Sequence, residues 1–132
     1  MKTVLILGSA ADEPWAKRIT DRLDELGVAW EQHVASAHKQ PRKVMEILDA
    51  CAADPGVVFV TIAGRSNALS GFVAGNSAAP TLACPPFKDQ TDMLVNVHST
   101  LQMPSKTPVL TVLDPGNCAE AVARIMKVGA SR

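Results

Sequence analysis

Three short clusters of polar and small residues interrupt an otherwise apolar chain. The first is Gly8-Ser9-Ala10-Ala11-Asp12. Where such a loop opens a helix, its free N–H groups and the positive helix end suit one phosphate. Gly8 permits close backbone approach there, and Ser9 can donate a hydrogen bond. The patterns G-x-G-x-x-G and G-x-x-x-x-G-K-[ST] do not occur, which disfavours NAD and ATP sites of those kinds. The second cluster is Ser36-Ala37-His38-Lys39-Gln40-Pro41. Imidazole titrates near neutral pH, so His38 can take and return a proton. Lys39 carries a fixed positive charge for a phosphate or a carboxylate. The third is Ala63-Gly64-Arg65-Ser66-Asn67. The planar guanidinium of Arg65 matches a carboxylate, and its desolvation is costly unless it meets an anion or stays wet.

Taken singly, each cluster also has an ordinary reading. Asp12 can be a plain helix cap, His38 and Lys39 a solvated surface pair, and Arg65 the partner of a carboxylate or a neighbouring subunit. Cys84 stands before Pro85-Pro86 without an evident histidine partner, so it reads as a small buried residue rather than a thiol nucleophile. His33 and His98 read as structural or surface residues.

The elements around the clusters decide whether they can meet. Apolar runs at 3–7, 28–35, 57–62, 80–84 and 108–113 read as strands. A first helix is expected from a cap at Asp12, with Trp15, Ile19, Leu23 and Leu26 on one face and Gly27 as its stop. A second opens at Pro41 with Val44, Ile47, Leu48 and Cys51 inward. A small-residue helix spans about 69–76, and another runs roughly over 92–101. The last follows Asp114-Pro115-Gly116, capped by Asn117 with Glu120 three residues on. Its inner face is expected to be Cys118, Ala121, Val122, Ile125 and Val128. Trp15 and Trp30 are expected to pack helix on sheet, and Met45, Met93, Met103 and Met126 to fill core or interface. Uniformly apolar strands alternating with helices predict a parallel sheet of about five strands covered on both faces. The expectation is one three-layer α/β/α domain over residues 1–132. Ligands in such sheets bind beyond the carboxyl ends of the strands. The three clusters follow strands one, two and three.

With 132 residues, 47% of them hydrophobic, the chain can bury a single core. Lys+Arg and Asp+Glu number 13 each. No excess cation is left for neutralising nucleic-acid phosphates. The longest apolar run, 57–63, is far short of the roughly 20 residues that span a bilayer. Four apolar residues after Lys2 are too few for a signal peptide. Three cysteines, Cys51, Cys84 and Cys118, cannot all pair and show no metal spacing. They fit a reducing cytoplasm.

The three clusters, followed by Ala68-Leu69-Ser70-Gly71, Gly75-Asn76…Pro80 and Ala83-Cys84-Pro85-Pro86, closely resemble the aminoimidazole ribonucleotide (AIR) carboxylase family of purine biosynthesis. The resemblance runs from residue 4 to about 128, and the order and spacing of the motifs make it specific. One class of that family rearranges N5-carboxy-AIR to 4-carboxy-AIR (CAIR). It has arginine after Ser-Ala-His and a second histidine in a Gly-Gly-Ala-Ala-His-Leu loop. With Lys39 and the 63–67 loop instead, this chain looks like the second class, which joins carbon dioxide to AIR without ATP or biotin. The resemblance implies a flavodoxin-like sheet, no cofactor or metal, and a homo-octamer with sites shared between subunits. It also implies roles. Gly8, Ser9 and Asp12 would hold the ribose phosphate end. Ser36, His38 and Lys39 would border the aminoimidazole and the incoming carboxyl group. Ala63, Gly64, Arg65 and Ser66 would line the carbon dioxide pocket. Within that set His38 would remove the ring proton, while Arg65 and Lys39 stabilise the forming carboxylate. Residues 70–76 would serve a neighbour's site. Ala11 stands where the family usually has a second serine, and Asn96, Gln102 and Lys106 also depart from the second class. The mutase and a non-catalytic nucleotide-binding relative are the alternatives.

Overall fold

β-Branched and aliphatic residues dominate the central strands because each must fill space on two faces at once. A computed structural model describes residues 1–131. In chain order it contains β1 (Lys2–Leu7), α1 (Glu13–Glu25), β2 (Trp30–Val34), α2 (Pro41–Cys51), β3 (Val57–Ile62), α3 (Leu69–Asn76), β4 (Thr81–Ala83), α4 (Gln90–Leu101), β5 (Leu110–Thr111) and α5 (Pro115–Ala130). The strands form one parallel sheet in the order β2-β1-β3-β4-β5.

Alternate side chains of the two central strands feed two separate apolar clusters, as the period of two requires. Leu5, Leu7, Val58, Val60 and Ile62 pack with Ile19 and Leu23 of α1 and with Cys118, Val122 and Met126 of α5. Val4, Ile6, Val57 and Phe59 pack with Val44, Ile47 and Leu48 of α2 and with Leu69 and Val73 of α3. This is the expected three-layer arrangement. Helix α4 supplies no side chain to either cluster.

Several local expectations are corrected. Strand β2 is an edge strand and only half-buried, so it is not uniformly apolar. Trp30 at its start is 38% exposed and donates its indole N–H to Asp24 Oδ1 (2.8 Å) rather than packing helix on sheet. Trp15 does pack against the first cluster, and its indole donates to the Cys84 carbonyl (3.1 Å). Asp12 makes no capping hydrogen bond. Ser9 caps instead, its Oγ accepting from the Ala11 N–H at the start of a single 3-10 turn, Ala10–Asp12. The last helix is capped by Asp114, whose Oδ1 accepts from the Asn117 N–H (2.8 Å), with Pro115 in the first turn. Proline presets the helical φ and needs no N–H, so it draws the start back from Asn117. Cys118, Ala119, Val122 and Met126 are among its buried residues, Ala121 and Ile125 pack half-buried against the same cluster as expected, and Val128 alone of the expected face is exposed. Strand β5 shrinks to two residues of the six expected.

Thr3 is fully buried, and its hydroxyl has no hydrogen-bond partner among the described residues. An orphaned buried hydroxyl costs roughly 1–3 kcal/mol. Thr3→Val is therefore expected to raise stability by about 1 kcal/mol, read as a higher urea midpoint. A lower midpoint would contradict this account.

Candidate active site

Parallel pairing sets where the three clusters emerge. Leu7 is in register with Val34 of β2 and with Ile62 of β3. Residues 8, 35 and 63 therefore leave the sheet side by side. The ladder continues one step further, with the Gly8 N–H donating to the Ile62 carbonyl and the Ala35 N–H to the Leu7 carbonyl (2.9 Å each). The three loops then enclose a cavity of about 190 Å³. Its lining is Gly8, Ser9 and Asp12, then Ser36, Ala37 and His38, then Ala63, Gly64, Arg65 and Ser66. Ala68 and Leu69 at the start of α3 complete it.

Within this cavity the second and third loops touch. His38 Nε2 lies 2.9 Å from the Ser66 carbonyl oxygen. Ser66 has φ +48°, a left-handed conformation uncommon for a residue with a side chain. The next residue anchors it. Asn67 is buried, and its Nδ2 donates to Ser70 Oγ (2.6 Å) and Thr100 Oγ1 (3.0 Å). Its Oδ1 accepts from the Ser70 N–H (3.1 Å), and its own N–H donates to Ser99 Oγ (2.9 Å). Ser70 Oγ in turn meets Thr61 Oγ1 of β3 (2.8 Å). The loop is thus tied to β3, α3 and α4.

Arg65 stays wet. Its side chain is 79% exposed, and its only ion pair among the described residues is a loose one, Nη2 to Asp92 Oδ1 at 3.7 Å. Exposed pairs of this kind contribute little, so the guanidinium is free to take an anion. The Asp92 carboxyl is held below the usual carboxylate range, first by the Lys88 main-chain N–H on Oδ2 (2.9 Å) and then by the Asn96 amide on Oδ1 (2.7 Å) and the Arg65 charge. Asp12 behaves oppositely: half-buried and without a capping hydrogen bond, its carboxyl is pushed up by desolvation.

Lys39 does not join the lining. The stretch after β2 makes one helical turn, with the Gln40 N–H on the Ser36 carbonyl (2.7 Å) and the Lys39 N–H on Ser36 Oγ (3.2 Å). That turn gives the cavity His38 and leaves exposed Lys39 outside it. Sequence reasoning missed the second wall of the site. A wider groove of about 640 Å³ adjoins the cavity, sharing Asp12, Gly64 and Arg65 with it and adding Ala11, Trp15, Phe87, Lys88, Asp92 and Asn96. The signal was present in Asp89, whose carboxylate caps α4 by accepting from the Asp92 N–H (2.8 Å) and so fixes Asp92 in the first turn.

The family model described as AIR carboxylase matches residues 2–132. The chain belongs to that family. A phosphoribosylaminoimidazole carboxylase from Archaeoglobus fulgidus is 44% identical over 125 residues, covering 95% of this chain and 68% of that protein. One from Treponema denticola is 38% identical over 126 residues, covering 95% and 79%. The crystal structure of Treponema denticola PurE superposes with a TM-score of 0.88 at 38% identity, over 96% of this chain and 80% of that one. The carboxylase family's flavodoxin-like sheet is the one described above.

The raised Asp12 pKa makes a stability prediction. The folded chain keeps this proton to higher pH than the unfolded chain, so stability falls as pH rises from the ordinary aspartate range through the raised value. Asp12→Asn removes that loss. The variant's thermal midpoint is expected to gain on the parent as pH rises from about 3 to 7. A parent that gains on the variant over that range would contradict the assignment.

Proposed function

We propose that this chain is an AIR carboxylase of the direct kind, joining free carbon dioxide to 5-aminoimidazole ribonucleotide to give CAIR without ATP or biotin. The observation that carries this reading is the meeting of His38, Arg65 and Ser66 with the Ser9–Asp12 loop around one cavity, in a chain of this family. The ring carbon beside the exocyclic amine is enamine-like and already nucleophilic. It attacks the carbon of carbon dioxide, a C–C bond forms, and one C–O π pair becomes the new carboxylate charge. His38 then takes the proton from the same ring carbon, whose C–H electrons restore the aromatic ring. Arg65 faces the new carboxylate with a charge no internal partner holds tightly. Ser9 and the N–H groups around it receive the ribose phosphate. Positioning lowers the barrier by several kcal/mol. Use of carbon dioxide rather than N5-carboxy-AIR is supported by Lys39 after Ser-Ala-His and by Arg65-Ser66 in the third loop.

A homo-octamer with sites near its interfaces is part of the proposal. Its support is α4, which turns Leu94 (56% exposed), Val95 (64%) and Leu101 (59%) outward, beside the groove at Asp92 and Asn96. Cytoplasmic residence is supported by three free thiols, Cys51, Cys84 and Cys118.

Turnover with AIR plus bicarbonate is expected to exceed turnover with N5-carboxy-AIR. The reverse preference would make the chain a mutase, and tight AIR binding without carboxylation would make it a non-catalytic relative. His38→Asn is expected to lower the rate at least ~10²-fold with the fold intact; near-normal rates would remove His38 from the proton transfer. In sedimentation velocity the parent is expected to run as an octamer and Val95→Glu as smaller species. A monomeric parent would refute the assembly.

A further inference from the structure

We infer that Asn67 is a positioning residue that acts through the main chain of Ser66 to set the tautomer of His38. The argument starts from the acceptor. A carbonyl oxygen has no proton to give, so the 2.9 Å contact between His38 Nε2 and the Ser66 oxygen requires hydrogen on Nε2. In the neutral ring Nδ1 is then the nitrogen with the free lone pair, and it alone can take a proton. The tautomer is therefore chosen by where the Ser66 carbonyl stands.

That carbonyl stands where it does because Ser66 is held at φ +48°. A left-handed serine is strained and persists only where its surroundings over-determine it. The surroundings lie one residue on. Asn67 does not line the cavity, yet both its amide atoms and its own N–H are bonded, to Ser70, Thr100 and Ser99. Bonded to Ser70, which in turn meets Thr61 of β3, and to Thr100 of α4, Asn67 prevents the preceding peptide from relaxing. Two discrete elements thus aim one oxygen at one imidazole nitrogen.

The consequence for rate rests on the proposed role of His38 as proton acceptor; the consequence for the tautomer does not. The test is nitrogen NMR of the full chain with ¹⁵N-labelled histidine at a pH where the ring is neutral, with His38 assigned from His38→Asn. The parent is expected to show His38 as the Nε2–H form. Asn67→Ala is expected to show a mixture of both forms, with kcat for AIR carboxylation lowered roughly 10–10²-fold and KM changed less than about twofold. Thr100→Val removes one acceptor of the Asn67 amide and is expected to shift the mixture less; it decides the question alone if Asn67→Ala does not fold. A parent ring in the Nδ1–H form, or folded variants that keep the parent's tautomer, would overturn the inference. A purely structural Asn67 would lower the melting temperature and leave the nitrogen shifts alone, which also overturns it. Tautomer shifts as expected in a chain that does not carboxylate AIR would uphold the inference and sink the functional reading instead.

Discussion

The site depends on one register. Leu7 sits level with Val34 and with Ile62, so three strands end at the same height and their following residues share one rim. The strand order β2-β1-β3-β4-β5 makes this a crevice rather than a flat edge, because the chain leaves β1 toward one side and returns past it to β3 on the other. Register is held by the apolar pattern on both faces. A slip of one residue would carry Val4 and Ile6 into the space of Leu5 and Leu7, with every partner misplaced in two cores. Burial of aliphatic side chains thus fixes the distance between an imidazole and a guanidinium that lie 27 positions apart in the chain.

Above that apolar base the logic reverses. Asn67, Ser70, Thr61 and Thr100 form a buried polar knot, tolerable because each side chain has a partner. Helix α4 follows the same reversal: Asn96 and Thr100 are buried and Leu94 and Val95 exposed, opposite to an ordinary surface helix. Its inward face serves the loop that carries Arg65 and Ser66. The weak Arg65–Asp92 pair belongs to this arrangement, since a tight internal pair would leave no charge for a ligand.

Much of this was legible from residue order alone, for definite reasons. Residues 57–62 announce β3 because six consecutive residues suit two-sided burial, and 69–76 was readable as α3 from its flanking breaks. The convergence of residues 8–12, 36–38 and 63–66 followed from their places after strand ends. Lys39 falls outside the cavity that His38 lines, because adjacency in sequence does not survive one helical turn. The cap of α5 was misplaced because Asp114 and Asn117 are both good caps, and only Pro115 between them decides. The α4 wall is marked in sequence only by the cap at Asp89, because helix-face reasoning assumes apolar residues point inward, and here Leu94 and Val95 point out.

The pairing of β1 with β3 also has a consequence in time. Parallel strands cannot be joined by a hairpin, and between Leu7 and Ile62 the chain must complete α1, β2 and α2. The pairing of Leu7 with Ile62 joins residues far apart in sequence, so the rim forms through distant encounters, which slows such topologies. During synthesis residues 8–12 and His38 are translated before Arg65, yet the hollow they share has no walls until Ile62 clears the ribosome. A nascent chain therefore has no formed hollow to offer, and a ligand of that hollow can rescue only molecules that have already found their central pairing.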